Sequence, residues 1–283
     1  MNGTTAMRIL HFSDLHCGTT PHGLAWLTDK RLLGTLTQRL RRQAHQDWST
    51  LDRLLQLADR LQPDLAVCTG DLCAVSNPDE FNRALQLLEP LRQRLPKRLV
   101  YLPGNHDAYV DRPETTAARL HAVRRLNGLS HHAGHLPLKR TVGPLRLLLL
   151  DAARPMPPWC SGGVATLQQH AAILRQLIRP RRHGERRALI SHFPLFRPDG
   201  APLGWRRGIT HDRLFRDLAQ DGLLDLILCG HIHTPFLHRH GDCLQVCPGS
   251  LTLHHHCAVI DVPDDHGATA IQAQLIDLNQ SFP

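Results

Sequence analysis

The sequence is poor in aromatic residues, and it lacks the cysteine spacing that small metal knuckles need. Only 5% of its 283 residues are Phe, Trp or Tyr, so the core has to be built mainly from Leu, Val, Ile and Ala. No two of the eight cysteines are spaced as Cys-x-x-Cys, which argues against a zinc knuckle or a dithiol redox motif. A disulfide framework is not expected in a chain of this length without an export signal.

Long apolar runs are also absent. Residues 1–10 contain one Arg and no long apolar stretch, unlike a signal peptide. The longest apolar run, at 147–150, is far shorter than a bilayer-spanning helix. We therefore expect a cytoplasmic protein. Its formal net charge of +8 favours anionic partners, such as phosphates, nucleic acid or an acidic membrane surface.

Apolar, strand-like segments alternate with amphipathic helices along the chain. The predicted strands are 7–13, 65–69, 98–102, 145–150, 187–191 and 224–229. The predicted helices are 49–61, 77–95, 166–178 and 210–220, and Ser49 with Asp52 suggests a capping box for the first. This alternation predicts an α/β fold with a parallel or mixed sheet. With no repeat or linker, residues 1–283 are best interpreted as a single domain.

Five of the six predicted strands are followed by residues that bind metals. In open α/β sheets, ligands gather beyond the carboxyl ends of the strands. Seven such donors would meet there: Asp14, His16, Asp71, Asn105, His192, His231 and His233. Seven ligands are more than one octahedral ion can bind. They suit two ions that share a carboxylate and hold the attacking and leaving oxygens of an in-line displacement. Because only Asp14 and Asp71 are anionic, the loaded site would stay positive and admit a phosphate.

The order of these motifs resembles the calcineurin-like metallophosphoesterase superfamily. The matching segments are Asp14-Leu15-His16, Gly70-Asp71, Gly104-Asn105-His106-Asp107, Ser191-His192-Phe193-Pro194 and Gly230-His231-Ile232-His233. They span most of the chain, and five motifs in order are far more specific than any one of them. The resemblance implies a sandwich of two mixed β-sheets flanked by helices.

The resemblance also implies a role for each donor. Asp14, His16 and His233 would bind one divalent metal, and Asn105, His192 and His231 would bind the other. Asp71 would bridge the two, and a hydroxide bridging the metals would attack phosphorus. His106 would contact the phosphate and protonate the leaving oxygen. The mixed donors suit Mn, Fe or Zn.

One motif departs from the pattern of many relatives. The Ser/Thr protein phosphatases continue it as Gly-Asp-x-x-Asp-Arg, whereas this sequence has Ala74 and Val75 in place of the final Asp-Arg. The missing Arg, which grips a phosphomonoester, makes a protein phosphatase improbable. The missing Asp leaves open what orients His106, with Asp107 next to it in sequence.

A basic, amphipathic insertion occupies residues 19–47. Leu33, Leu36 and Leu40 fall on one helical face, and the Arg residues mostly lie off it. Such a helix over 23–42 could pack on the domain, or it could contact the inner membrane face or cover an acyl-chain pocket. Its segment Lys30-Arg31-Leu32-Leu33-Gly34 is similar to members of the UDP-diacylglucosamine pyrophosphatase type.

The leading hypothesis is a hydrolase of a phosphodiester or pyrophosphate bond, with a phosphorylated small-molecule or lipid-linked nucleotide substrate. A cyclic-nucleotide phosphodiesterase and a nuclease are alternatives, although no basic stripe with interleaved aromatics favours nucleic acid. A non-catalytic metal-binding interaction module is the alternative of another class, and the complete donor set with His106 argues against it. We interpret Trp205-Arg206-Arg207 and the histidines at 131–135 and 254–256 as loop residues.

Overall fold

The computed structural model describes residues 6–19, 30–32, 34, 46–130, 139–263 and 269–280. The strands are β1 Met7–Phe12, β2 Leu65–Cys68, β3 Leu99–Tyr101, β4 Lys139–Val142, β5 Leu145–Leu150, β6 Gly163–Val164, β7 Arg186–Ser191, β8 Ile209–Thr210, β9 Leu226–Leu228, β10 Phe236–His240, β11 Cys243–Cys247, β12 His256–Val262 and β13 Gln272–Asp277. The helices are α1 Ser49–Leu61, α2 Pro78–Arg94, α3 Pro113–Asn127, α4 Leu167–Leu177, α5 Arg213–Gln220 and α6 Leu251–His254.

Two mixed sheets form a sandwich. The first has the order β13-β12-β1-β2-β3, in which β1, β2 and β3 run parallel and β12 and β13 pair antiparallel. The second has the order β10-β11-β9-β7-β5-β4, with β11, β9, β7 and β5 parallel and an antiparallel strand at each edge. Helices pack on the outer faces, so the predicted sandwich is confirmed.

Strand β5 shows how the sequence builds two cores at once. Its residues Leu145, Leu147 and Leu149 belong to the cluster between the sheets, whereas Leu148 and Leu150 face the cluster under α4 and α5. A strand that is buried on both faces reads as a continuous apolar run. This explains the four consecutive leucines in a chain with few aromatics.

The start of α1 differs from the sequence prediction. Ser49 is the first helical residue, and it is not the cap of a Ser49–Asp52 box. Instead the Asp47 carboxylate accepts hydrogen bonds from Ser49 N and Ser49 Oγ, both at 2.9 Å. The predicted starts of α2 and α4 hold, because Asn77 and Thr166 each form a capping box.

Other differences concern short or weakly amphipathic elements. The helix predicted from residue 210 begins at Arg213, since Ile209 and Thr210 form β8 and pair with β6. The sequence prediction left out α3, although Pro113 at its start and Gly128 at its end mark it. The predicted helical face at Leu33, Leu36 and Leu40 lies outside the described residues. Among the described residues, no helix combines the length and apolar character that crossing a membrane requires.

Candidate metal centre

The seven predicted donors lie together where the two sheets meet. Loops after β1, β2 and β3 of the first sheet and after β7 and β9 of the second carry them. Two glycines permit this close approach. A side chain at Gly230 would collide with Ser13 and Asp14 across the sheets, and one at Gly104 would collide with Asp71. The Gly residues of these motifs are therefore a packing requirement of the site.

Asp14, His16 and His233 form one group of donors. The Nε2 atoms of His16 and His233 are 2.9 Å apart. They lie 3.6 Å and 3.3 Å, respectively, from Asp14 Oδ1. One donor atom from each of the three residues lies within 4.8 Å of the others, close enough to surround a single ion.

Asn105, His192 and His231 form the second group. Asn105 Oδ1 is 3.1 Å from His192 Nε2 and 2.9 Å from His231 Nδ1. All three side chains are buried. One amide oxygen thus faces two imidazole nitrogens.

Asp71 lies between the two groups. Its Oδ2 is 3.4 Å from His192 Nε2 and 3.9 Å from His16 Nε2. Its other oxygen, Oδ1, accepts a hydrogen bond of 2.8 Å from the backbone N–H of His106. The carboxylate is therefore fixed between the two donor groups, where the resemblance implies a ligand shared by both metals.

The donor atoms are arranged for cations. His192 Nδ1 donates to the carbonyl of Thr69 at 2.6 Å, so a neutral His192 turns the lone pair of Nε2 toward Asn105 Oδ1 and Asp71 Oδ2. Lone pairs at such distances repel each other unless a proton or a metal lies between them. Asp14 Oδ1 is buried and accepts no hydrogen bond. An ordinary buried carboxylate oxygen accepts at least one. The residues present fit a centre of two divalent ions with oxygen and imidazole ligands.

Protonation of the metal-free site agrees with this geometry. Burial raises the pKa of Asp71, but the neighbouring His192 imidazole more than reverses this and holds it below its usual value. Asp14 is likewise held well below its usual pKa by His16 and His233 against the effect of burial. Burial lowers the pKa of His192, yet its pairing with Asp71 raises it to about 9. A proton on His192 therefore takes the place of a cation.

Five of the seven donors have a left-handed backbone. The φ angle is 58° at Asp14, 50° at His16, 55° at Asp71, 74° at His231 and 59° at His233. Outside glycine such angles cost roughly 1–3 kcal/mol each, and they cluster at functional sites.

Hydrogen bonds between loops hold this conformation. His16 N donates to Asp71 O at 2.9 Å, which ties the loops after β1 and β2 together. The hydroxyls of Ser250 and Thr252 donate to Asp14 O at 2.7 Å and to Leu15 O at 2.8 Å. Residues near α6 therefore support the Asp14-Leu15-His16 turn.

His106 is oriented by a backbone carbonyl. Its Nδ1 donates to Ala74 O at 2.6 Å, so the residue that replaces the second Asp of the Gly-Asp-x-x-Asp motif supplies the acceptor from its main chain. Asp107 is turned away: it accepts from Cys73 N at 2.9 Å, Gly104 N at 2.9 Å and Tyr101 Oη at 3.0 Å. Asp107 thus joins the second and third motif loops.

Two pockets adjoin the centre. The Trp205 pocket, of about 490 Å³, is lined by Arg197, Pro198, Leu203, Gly204, Trp205, Arg206, Arg207, Ile232 and Thr234. Because Ile232 and Thr234 alternate with the donors His231 and His233, this pocket adjoins the centre. The second, the His106 cavity, of about 160 Å³, includes Asn105 and His106 in its lining. The sequence interpretation of Trp205-Arg206-Arg207 as an ordinary loop missed the Trp205 pocket. The pairing of β6 with β8 positions this loop, and that pairing cannot be predicted from the sequence.

The remaining histidines lie at the margin. His254 ends α6, with its ring centroid 6.2 Å from that of His233. His255 Nδ1 and Thr50 Oγ1 are hydrogen-bonded at 2.9 Å. Of the three predicted loop histidines, only His255 lies between elements, because His256 begins β12. The predicted surface histidines at 131–135 lie outside the described residues.

Comparisons with solved structures identify the class of fold. A dimetal phosphatase from Danio rerio is 16% identical, with a TM-score of 0.62 over 94% of this chain and 98% of that one. The sulfate thiohydrolase SoxB of Thermus thermophilus is 16% identical, with a TM-score of 0.55 over 96% of this chain and 56% of that one. GAP50, the anchor in the inner membrane complex of Plasmodium, is 11% identical, with a TM-score of 0.57 over 97% of this chain and 85% of that one. At these identities the likeness is one of fold, the two-sheet sandwich that dimetal phosphatases share.

The family follows from the sequence match. The model of the calcineurin-like phosphoesterases matches residues 7–235, and the chain belongs to this family. Its members use a dinuclear divalent metal centre, and this chain is a metal-dependent phosphoester hydrolase. Among curated proteins, none matches the sequence.

Proposed function

We propose that this protein hydrolyses a phosphodiester or diphosphate bond at the cleft between its two sheets. In this proposal Asp14, His16 and His233 hold one divalent ion, and Asn105, His192 and His231 hold the second. Asp71 is shared by both ions. His106 gives a proton to the leaving oxygen.

The observation that carries the proposal is the convergence of donors from both sheets around Asp71. Five separate loops deliver them, and Asp71 Oδ2 lies within 4 Å of nitrogens from His16 and His192. Two ions held there supply charge for the phosphoryl oxygens and make water more acidic. A metal-binding module without catalysis would have no need of His106, which is placed beside the donors by Ala74 O and by its own N–H bond to Asp71.

The position of His106 supports its role as the proton donor. One of its ring nitrogens lies within 4.8 Å of donor atoms of His16 and Asp71. Because Nδ1 donates to Ala74 O, the Nε2 atom is the one that exchanges a proton with substrate. A histidine fixed in this way acts as a general acid near neutral pH.

The two pockets beside the centre support a substrate with two substituents on its phosphate. A monoester would fill only one of them, and the Arg that grips monoesters in Gly-Asp-x-x-Asp-Arg relatives is replaced by Val75. The apolar side chains of the Trp205 pocket, with three arginines beside them, suit an amphipathic group. We therefore favour a lipid-linked nucleotide or a similar phosphorylated molecule as substrate.

The experiment is a hydrolysis panel on protein stripped of metal and then reloaded with Mn²⁺, Fe²⁺ or Zn²⁺. It compares phosphomonoesters, phosphodiesters, cyclic nucleotides and nucleotide-diphosphate lipids. We expect two ions per chain by elemental analysis, and turnover of diesters or diphosphates that disappears with chelator. Two bound ions without turnover of any phosphate ester would show a non-catalytic module, and preferred turnover of monoesters would contradict the proposed substrate class.

A further inference from the structure

The His106 cavity adjoins the centre at the residue proposed above to protonate the leaving group. Asn105 and His106 form part of its lining, and Lys30, Tyr109 and Arg154 form another part. A general acid must lie within hydrogen-bond reach of the oxygen it protonates. If His106 has the role proposed above, the leaving group therefore enters this cavity.

Two of the contacts of Lys30 hold it in the cavity wall. Its Nζ donates to Met156 O at 2.7 Å and lies 4.3 Å from the centroid of the Tyr109 ring. The Tyr109 ring in turn stacks on His106, with centroids 5.5 Å apart and an interplanar angle of 13°. A cation, an aromatic ring and the imidazole are thus layered against each other. An ammonium has three N–H donors, so a contact with substrate is compatible with the bond to Met156.

The turn that carries Lys30 is fitted closely to the cavity. Gly34 N donates to Lys30 O at 3.2 Å. A Cβ atom at Gly34 would lie 2.6 Å from Val75 Cγ1 and 2.9 Å from Tyr109 Oη. A glycine is needed for this approach. It brings Lys30 to the edge of the motif loop from which the family's usual phosphate-gripping Arg is missing.

The cavity carries cations and, among the described residues that line it, no carboxylate. Arg154 is the second cation; its Nη1 donates to Ala153 O at 2.6 Å and lies 3.6 Å from Asp151 Oδ1. A guanidinium has five N–H donors, and 37% of the Arg154 side chain is exposed. Two cations in a small cavity beside the centre fit an anion.

We propose that Lys30 and Arg154 bind an anionic leaving group, so that the preferred substrate is a diphosphate whose leaving group is a phosphate monoester. The proposal rests on the function proposed above and names its substrate class. The water oxygen bonds to the attacked phosphorus and releases a proton to solvent, from which His106 is later reprotonated. The bond from that phosphorus to the bridging oxygen breaks. The departing phosphate keeps the electron pair, takes the proton of His106 and stays anionic beside the two cations.

The test compares two substrates that differ in the charge of the leaving group. ADP-ribose releases a phosphate monoester, and bis(p-nitrophenyl) phosphate releases a phenol. We expect Lys30→Met and Arg154→Met each to lower kcat/KM for ADP-ribose about 10- to 100-fold, the range for a hydrogen bond to a charged group. The loss with the aryl diester should be at least fivefold smaller.

Matched controls distinguish the loss of a positive charge from a structural effect of the substitution. Arg213→Met removes an arginine from the exposed surface of α5 and should leave kcat/KM unchanged for both substrates. Lys30→Arg keeps the charge and should recover part of the ADP-ribose activity. Equal losses with both substrates in Lys30→Met and Arg154→Met would overturn the proposal, as would a wild-type protein that cleaves the aryl diester but not ADP-ribose.

A binding measurement keeps this inference distinct from the proposed function. AMP, a phosphate monoester, is titrated calorimetrically into metal-loaded wild type, Lys30→Met and Arg213→Met. We expect about tenfold weaker binding only in Lys30→Met. If the wild type cleaves neither substrate, the proposed function fails. The AMP titration still tests whether the His106 cavity binds an anionic leaving group: weaker AMP binding in Lys30→Met supports this role of the cavity, and equal binding refutes it.

Discussion

The floor of the cleft and its rim are built in different ways. The floor consists of His106 and the seven donors Asp14, His16, Asp71, Asn105, His192, His231 and His233. Every donor except His233 is buried, and each lies in a loop that begins at the carboxyl end of a strand. The rim consists of Lys30, Arg154, Trp205, Arg206 and Arg207, and 68% of Trp205 is exposed. Strand ends fix positions that chemistry needs, while loops are free to vary with substrate.

The rim loops are nevertheless tied together. Ser161 N donates to Arg206 O at 2.9 Å, and Gly163 N donates to Gly208 O at 3.0 Å. The short parallel pair β6–β8 continues this connection. The loop that carries Arg154 and the loop that carries Trp205 therefore form one wall. If floor and rim divide the work, changes in the floor should affect every substrate, and changes in the rim should affect only some.

The largest effect is expected from Asp71→Asn. The amide removes the charge shared between the two donor groups, so both metal binding and turnover should be lost with every substrate. Elemental analysis and the hydrolysis panel measure this directly. Asp59→Asn, which changes an exposed aspartate paired with Arg94, is the matched control. An Asp71→Asn protein with two bound ions and normal activity would contradict the claim that the floor is needed for every substrate.

The second effect concerns His106→Asn. Losing a general acid typically slows turnover about 10²–10⁴-fold, and the ions should stay bound because none of the seven donors is changed. Metal content and kcat are measured on the same preparation. His121→Asn, on the exposed surface of α3, should behave as wild type. Unchanged kcat in the His106 variant would refute its role.

A third change tests how the floor is supported. Thr252→Val keeps the volume of a buried side chain but removes its hydrogen bond to Leu15 O. We expect a loss of about 1–3 kcal/mol in the free energy of unfolding and weaker metal binding, since the left-handed Asp14-Leu15-His16 turn loses one of its anchors. Urea unfolding with and without metal measures both. A stability loss that is equal in the two conditions would show that Thr252 supports the fold but not the site.

The smallest effect is expected at the rim. Trp205→Ala should raise KM about three- to tenfold for substrates with a large apolar or aromatic substituent, because an aromatic contact contributes roughly 1 kcal/mol. It should leave kcat for small diesters unchanged. Trp159→Ala is a closely matched control, since Trp159 is equally exposed but does not line the Trp205 pocket. A similar rise in KM for both variants would indicate a general surface effect.

The floor could be predicted from sequence because its information is local. A buried strand followed by Asp-x-His, Gly-Asp or Gly-His-x-His is visible without a structure, and parallel strands bring their carboxyl ends to one edge. The element boundaries were mostly right for the same reason: Leu145–Leu150 is a continuous apolar run, and Ser49–Leu61 is a strongly amphipathic segment. The omitted α3 has a weak pattern and depends on its packing against α2 and β3.

The rim could not be predicted in this way. Nothing in the sequence joins Ser161 to Arg206, or Lys30 to Met156, which is 126 residues away. The acceptor for His106 was also hidden, because it is the main chain of Ala74 and every residue type has a carbonyl.

By itself, the sequence determined which residue types follow the strands, and with them a metal-dependent phosphoester hydrolase. The tertiary structure decided what surrounds those residues: the carbonyl that orients His106, the cations that share its cavity and the Trp205 pocket beside the centre. The physical reason is the range of the forces involved. Burial patterns and turn conformations are set by near neighbours in the chain, whereas a pocket exists only once distant segments have packed.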